Sequence, residues 1–253
     1  MRVISLGWGV QSFTLSVMAA LGDIEPVDAA VHADTTYESS LTYEFADKWT
    51  PWLEERGVKI VTVKNEKSND VIRPYGDGKF RIGIPVFTAS DKGGQLRRTC
   101  TSDWKIAPLR RWLQQNRNGE TVEQLIGIST DEFLRMRDSN VKYIKNVYPL
   151  IKLGISRKDC VTYLNDHNIE IPAKSACTFC PFHSTSEWRR MKQIEKDWKQ
   201  AVDFDNVLRD KRPPFEIYLH PSRKPLETID FRTEEEKGQS TFWDQECQGM
   251  CGI

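Results

Sequence analysis

No apolar run in this chain of 253 residues approaches the length of a membrane span, and hydrophobic residues make up 39% of it. The sequence therefore gives no sign of a membrane partner, and its length suits one domain or one domain with an extension. An excess of charge of one sign is also lacking. With 36 basic and 36 acidic residues there is no global attraction to nucleic acid, so a partner of that kind must be met by a local patch. No apolar leader precedes Val3-Ile4, as expected of a cytoplasmic chain. In that reducing compartment six cysteines argue against a disulfide framework and for metal, cluster or catalytic use. Neither a Gly-Lys-Ser/Thr ending nor Gly-x-Gly-x-x-Gly spacing is present, which sets aside two common nucleotide loops, and no internal repeat is found.

What is present begins near the first residue. Ser5-Leu6-Gly7-Trp8-Gly9-Val10-Gln11-Ser12 joins the apolar strand Val3-Ile4 to a helical run. Two glycines allow close backbone approach, and the amides of Val10, Gln11 and Ser12 open a helix whose dipole favours an anion. Ser12 offers an N-cap and a hydroxyl donor. An ordinary strand-to-helix turn accounts for the same residues.

Short apolar and longer amphipathic segments then alternate: Val3-Ile4, Phe13 to Leu21, Asp28 to His32, Tyr43 to Arg56, Val58 to Val63. This βαβαβ order predicts an α/β fold, a doubly wound parallel sheet with ligands at the carboxyl ends of its strands. Gly22 and Gly57 mark helix ends. Asn65 to Gly94 reads as a long excursion suited to a lid or substrate loop. A helix over Trp104 to Gln115, a strand over Gln124 to Ile128 and a helix over Arg157 to His167 capped by Ser156 complete a domain over 1–170. A cysteine-bearing C-terminal extension over 171–253 includes one amphipathic helix from Ser186 to Leu208. Asp34 falls at the end of the second strand, where a carboxylate can meet a ribose or Mg²⁺, or simply close a turn. Trp188 and Met191 fall at helical spacing and suit a core, and Cys160 on its helix suits a buried thiol.

The first loop resembles the PP-loop of ATP pyrophosphatases, Ser-Gly-Gly-x-Asp-Ser, with Gln11 in place of the aspartate, a variation more like the phosphoadenylyl-sulfate (PAPS) reductase branch of the same superfamily. The stretch Arg97-Arg98-Thr99-Cys100-Thr101-Ser102-Asp103-Trp104-Lys105 followed by Ile106-Ala107-Pro108-Leu109 is similar to the cysteine motif of those reductases. Gly127-Ile128-Ser129-Thr130-Asp131-Glu132 with Arg135 resembles the segment by which the family contacts nucleotide or substrate, and Cys177-Thr178-Phe179-Cys180-Pro181 follows. The resemblance covers Val3 to Pro181. It implies an adenine nucleotide alpha hydrolase-like fold, with Ser5, Gly7, Gly9, Val10, Gln11, Ser12, Asp34 and Gly127 at the nucleotide and Ser12, Lys105 and Arg135 acting on it.

Cys-x-x-Cys-Pro suits a cluster or zinc. The resemblance implies a [4Fe-4S] cluster on Cys100, Cys177 and Cys180, with an open iron or with Cys247 as fourth ligand. A tetrahedral zinc on Cys177, Cys180, Cys247 and Cys251 is the competing arrangement. Cys247, preceded by Glu246 as in the reductases' tail, is equally placed to act as a nucleophile.

Three functions follow from these alternatives. The first is ATP-dependent adenylation of an acceptor, with Mg²⁺, followed by sulfur transfer to tRNA or DNA from a cysteine desulfurase. The second is reduction of adenylyl sulfate or PAPS with thioredoxin, releasing sulfite. The third is a zinc-stapled nucleotide- or nucleic-acid-binding protein without catalysis. A homodimer is compatible with each.

Overall fold

The computed structural model describes residues 1–65, 71–90, 93–233 and 236. The chain forms two compact units, one made of Met1–Pro85 and Arg97–Thr178, the other of Val86–Leu96 and the chain from Phe179 onward. Among the described residues no helix is long and apolar enough to cross a membrane.

The first unit is built on five parallel strands in the order β3-β2-β1-β7-β8: β1 Arg2–Leu6, β2 Ala29–Asp34, β3 Ile60–Lys64, β7 Val122–Ile126 and β8 Ile144–Val147. Between β3 and β7 the chain adds a two-stranded hairpin, β4 Ile72–Pro74 with β5 Phe80–Ile82, and the short β6 Phe87–Thr88 of the second unit. Successive residues of β1 point to opposite faces, as strand geometry requires. Val3 packs with Ala29, Val31, Val122 and Ile144 against Leu109 and Leu113 of α3 (Ala107–Asn116). Ile4 and Leu6 pack on the other face against α1 (Val10–Leu21), α2 (Ser40–Glu54) and α5 (Arg157–Asp166), with Leu150 of the short α4 (Pro149–Lys152). Helices thus cover both faces, the doubly wound α/β arrangement expected. Each fully buried leucine or phenylalanine of these layers, Leu15 or Phe13 for example, contributes about 2–3 kcal/mol.

The strand order reverses between β1 and β7, which are neighbours in the sheet although far apart in sequence. In such sheets the loops leaving the two strands diverge to opposite faces and leave a crevice at their carboxyl ends. Gly22 ends α1 and Gly57 follows α2, both at φ +84°, a left-handed conformation in which glycine has no Cβ penalty. Ser156 caps α5 in a reciprocal capping box with Asp159. Three expectations need correction. The strand β8 is absent from the sequence reading, because its polar Lys145 and Asn146 on a sheet-edge strand break the apolar pattern. The helix expected to start at Trp104 is preceded by a π-helical turn, Thr101–Ile106. Part of the expected excursion is ordered as the β4–β5 hairpin.

The second unit holds α6 (Thr185–Lys192), α7 (Glu195–Leu208) and β9 (Ile217–Tyr218), which pairs antiparallel with β6. The single helix expected from Ser186 to Leu208 is two helices, because Ile194 takes an extended conformation between them. Trp188 and Met191 are buried, as their spacing implied. Buried Asp205 organises this unit: its carboxylate accepts from the backbone N–H of Leu219 and Leu226 and from the Arg209 guanidinium.

Candidate functional site

The turn after β1 owes its shape to side-chain packing as much as to glycine. Trp8 takes φ +54°, a conformation strained for so bulky a residue. It is held there by burial: its ring lies 6.1–6.4 Å from those of Phe13, His32 and Phe45. The N-cap of α1 is Gly9, which supplies no side chain, so Ser12 is a residue of the first turn and not the cap its sequence position suggested. The Ser12 hydroxyl braces the turn from inside, accepting from Gly7 N–H at 3.1 Å and donating to Gly9 C=O at 3.2 Å. The N–H groups of the first turn are left by helix geometry without intrahelical acceptors and lie at the positive end of the dipole.

Gly127 closes the turn from the side of β7. A Cβ there would stand 2.6 Å from the Ser12 nitrogen and 2.8 Å from its Cα, so only glycine lets the two backbones approach. Gly9, by contrast, has open space around its Cβ position. Both features lie at the point where strand order reverses.

Gln11 is buried and its carboxamide is fully used. Its Nε2 donates to Glu132 Oε2 at 3.1 Å and to Ser129 Oγ at 3.4 Å, and its Oε1 accepts from Arg157 Nη1 at 2.8 Å. Glu132 lies on a 3₁₀ turn, Thr130–Arg135, that follows β7. Its other oxygen takes the guanidinium of Arg135, which is otherwise exposed.

Asp34 ends β2 as a buried carboxylate with every neighbour a donor: Thr36 N–H at 2.7 Å, Tyr43 hydroxyl at 2.8 Å and Lys64 Nζ at 2.9 Å. Burial raises its pKa, and these partners more than reverse that, holding it below the usual aspartate value. His32, one strand turn earlier, has Nδ1 3.2 Å from the Leu6 carbonyl. Burial lowers its pKa, and nearby Glu38 offsets this only in part.

A second centre forms at the same end of β2. Glu38, whose side chain is wholly buried, accepts from Lys105 Nζ at 2.9 Å and from the Thr35 hydroxyl at 3.3 Å, while its other oxygen accepts from Ser175. Cys177 forms an antiparallel bridge with Glu38 and lies with Sγ 3.3 Å from Thr35 Oγ1, clipped in place by Ser39 N–H to Ala176 C=O and Thr178 N–H to Tyr37 C=O. Cys100 opens the π-helical turn that carries Lys105, its N–H donating to Gly83 C=O at 2.8 Å. Burial pulls the Lys105 pKa down, and Glu38, Cys177 and Cys100 outweigh it, leaving the ammonium more firmly protonated than an ordinary lysine. A π-turn here matches the frequent use of such turns at functional positions.

The first unit therefore brings together Ser12, Gln11 and Gly127, and separately Lys105, Cys100 and Cys177. Cys180 belongs to the second unit, where its carbonyl accepts from His183 N–H. Cys247 and Cys251 lie outside the described residues. Among the described residues no group of three or more His, Cys, Asp or Glu side chains is placed to hold a metal ion. Cys160 is a buried thiol, pushed up to about 11 by burial, in keeping with a packing role. Glu38 and Lys64 escaped the sequence reading, and Arg157 entered it without a role at the site, as the first residue of a predicted helix. Each is an ordinary charged residue in an ordinary segment, and only the partner supplied by another element marks it out.

No protein-family model and no curated protein matches the chain. Among solved structures it is similar to the phosphoadenylyl-sulfate (PAPS) reductase from Candida auris in its phosphate complex, with 13% sequence identity over 68% of this chain and 74% of that one and a TM-score of 0.46. The order of motifs along the sequence resembles the same reductase family.

Proposed function

We propose that the chain is an adenine-nucleotide enzyme of sulfur chemistry, in which the turn after β1 holds phosphate and the Lys105 centre serves the sulfur step. One observation carries this reading: within a single unit, a glycine-walled helix N-terminus at the switch point accompanies a lysine set among a buried glutamate and two thiols. Backbone N–H groups at a helix head suit phosphate. A fixed ammonium beside thiols favours thiolate, the reactive form of cysteine.

In its finer form the reaction is adenylation. An acceptor oxygen attacks the α-phosphorus of ATP, the bond to the bridging oxygen breaks and pyrophosphate leaves. Hydrosulfide then attacks the activated centre, a base carbon in tRNA or a backbone phosphorus in DNA phosphorothioation, and AMP departs with the oxygen, leaving the acceptor thiolated. Arg135 and the first-turn N–H groups would offset charge on the phosphates. A nucleic acid, tRNA or DNA, is the proposed acceptor, and a cysteine desulfurase the sulfur source, its persulfide being reduced to hydrosulfide by an external dithiol that leaves as the disulfide. The test is exchange of labelled pyrophosphate into ATP. Ser12→Ala removes both hydrogen bonds that brace the turn and is expected to abolish exchange; absence of exchange with tRNA and DNA present sinks this form. Iron analysis and the absorption spectrum of anaerobically purified protein test the proposed cluster on Cys100, Cys177 and Cys180.

Reduction of adenylyl sulfate or PAPS is the second reading, favoured by the charges around the turn. Gln11 is neutral and Asp34 is already paired with Lys64, so neither offers an uncompensated carboxylate to the Mg²⁺ that ATP brings. Sulfonucleotide reduction by thioredoxin cleaves no phosphoanhydride of ATP. Sulfite release from either compound, lost on Cys247→Ser, distinguishes it.

A further inference from the structure

We propose that Gln11 is a positioning residue that locks the turn after β1 to the 3₁₀ turn after β7, and that positions 11 and 132 tolerate only one negative charge between them. The inference rests on the nucleotide site proposed above for its consequence, though not for its geometry.

The chemistry of the partners fixes which end of the Gln11 carboxamide points where. Glu132 as a carboxylate can only accept, and the Arg157 guanidinium can only donate. The carboxamide satisfies both at once, with N–H to Glu132 and C=O to Arg157. A carboxylate at position 11 keeps the bond to Arg157 but turns an acceptor towards Glu132, placing two anions within hydrogen-bond distance in a partly buried setting. The neutral residue in this turn and the glutamate after β7 are therefore two halves of one arrangement.

Its reach extends to both walls of the candidate site. The backbone of Gln11 and Ser12 lies directly against Gly127. Arg157 opens α5, and its own N–H donates to Asp131 of the 3₁₀ turn at 2.8 Å. Glu132 divides its two oxygens between Gln11 and Arg135. Gln11 thereby holds the carboxylate that aims Arg135, without having to touch phosphate with its side chain.

The experiment compares the full-length chain with Gln11→Ala, Gln11→Glu, Glu132→Gln and the swap Gln11→Glu with Glu132→Gln. Hydrogen exchange in the absence of nucleotide is read at Glu132 and Met136, whose amides donate to Ser129 and Phe133 within the turn, and at Thr130, whose amide ties the turn to Ile155 C=O. Calorimetric titration with ATP and with adenylyl sulfate reads the site. Gln11→Ala and Gln11→Glu are expected to speed exchange at these amides about tenfold, and Gln11→Glu to weaken nucleotide binding by about the same factor. The swap is expected to return both within about threefold of the wild type. Lowering the pH should rescue Gln11→Glu selectively, as the facing carboxylates come to share a proton. Unchanged exchange in Gln11→Ala, or a swap no better than Gln11→Glu alone, overturns the proposal. If the wild type binds neither nucleotide the functional reading fails, while the exchange pattern still decides whether Gln11 locks the two turns.

Discussion

The two centres at the carboxyl edge of the sheet are made in opposite ways. The turn after β1 turns backbone towards the candidate site: its wall is Gly127 and its cap is Gly9, while its side chains are uncharged and face inward, Trp8 packed among aromatic rings and Gln11 and Ser12 spent on internal hydrogen bonds. The Lys105 centre is a side-chain construction, in which a buried carboxylate, an ammonium and two thiols set one another's charge. A backbone site tolerates loss of side-chain charge but no added atom where chains touch. A side-chain site shows the reverse, since its cost lies in leaving a buried charge unpaired.

The sharpest test of this contrast is Gly127→Ala. Because the new methyl meets backbone and not a flexible side chain, the loss should be about 3 kcal/mol or more, beyond ordinary overpacking, read as a fall in the denaturant midpoint. Full stability of this variant would mean that the wall is not rigid. Next is Glu38→Gln, which leaves Lys105 without its carboxylate. Breaking a buried pair costs about 3–5 kcal/mol, and because the Lys105 side chain is 41% exposed about 2 kcal/mol is expected here, with the Lys105 pKa falling. The raised Lys105 pKa makes its contribution complete below the ordinary lysine value and lost as pH rises through the higher folded value. The wild type should thus lose stability in alkali more than Glu38→Gln does.

His32 gives a smaller, oppositely directed effect. Its folded pKa lies below the unfolded one, so the unfolded chain takes up the proton first as pH falls. Stability should decline from the ordinary histidine range downward until the depressed value is passed, and His32→Gln should flatten that part of the profile. A profile unchanged by the substitution would show that His32 is not the group responsible. Smallest in stability is Arg135→Ala, which removes an exposed ion pair worth about 0.5 kcal/mol or less. It should nevertheless weaken nucleotide binding, and calorimetry showing unchanged affinity would remove Arg135 from the proposed phosphate site.

Much of the sheet could be read from the chain because its rules are local. Val3 and Ile4 alternate between the two cores as the strand period demands, and Gly22, Gly57 and Ser156 end or start helices through conformations and bonds made within a few residues. The site was legible where backbone chemistry made it, in Gly7, Gly9 and Gly127. It was not legible where partners are remote. Asp34 reads equally as a carboxylate for a ribose or Mg²⁺ or as one that closes a turn, and nothing near it in the sequence announces its pairing with Lys64. The helix expected from Ser186 to Leu208 had the right apolar spacing on both sides of Ile194, and the break between its halves left no mark in that pattern.

By itself the sequence determined the alternation of strands and helices, the glycine-bearing turn, and the presence of a lysine and several cysteines, because periodicity, turn conformation and functional-group identity are properties of short segments. Only the tertiary structure decided that Lys105 belongs to Glu38 and that Gln11 answers Arg157, 146 residues away. The order β3-β2-β1-β7-β8 makes β1 and β7 neighbours, and which charges meet at their ends is settled by that adjacency, which no local pattern records.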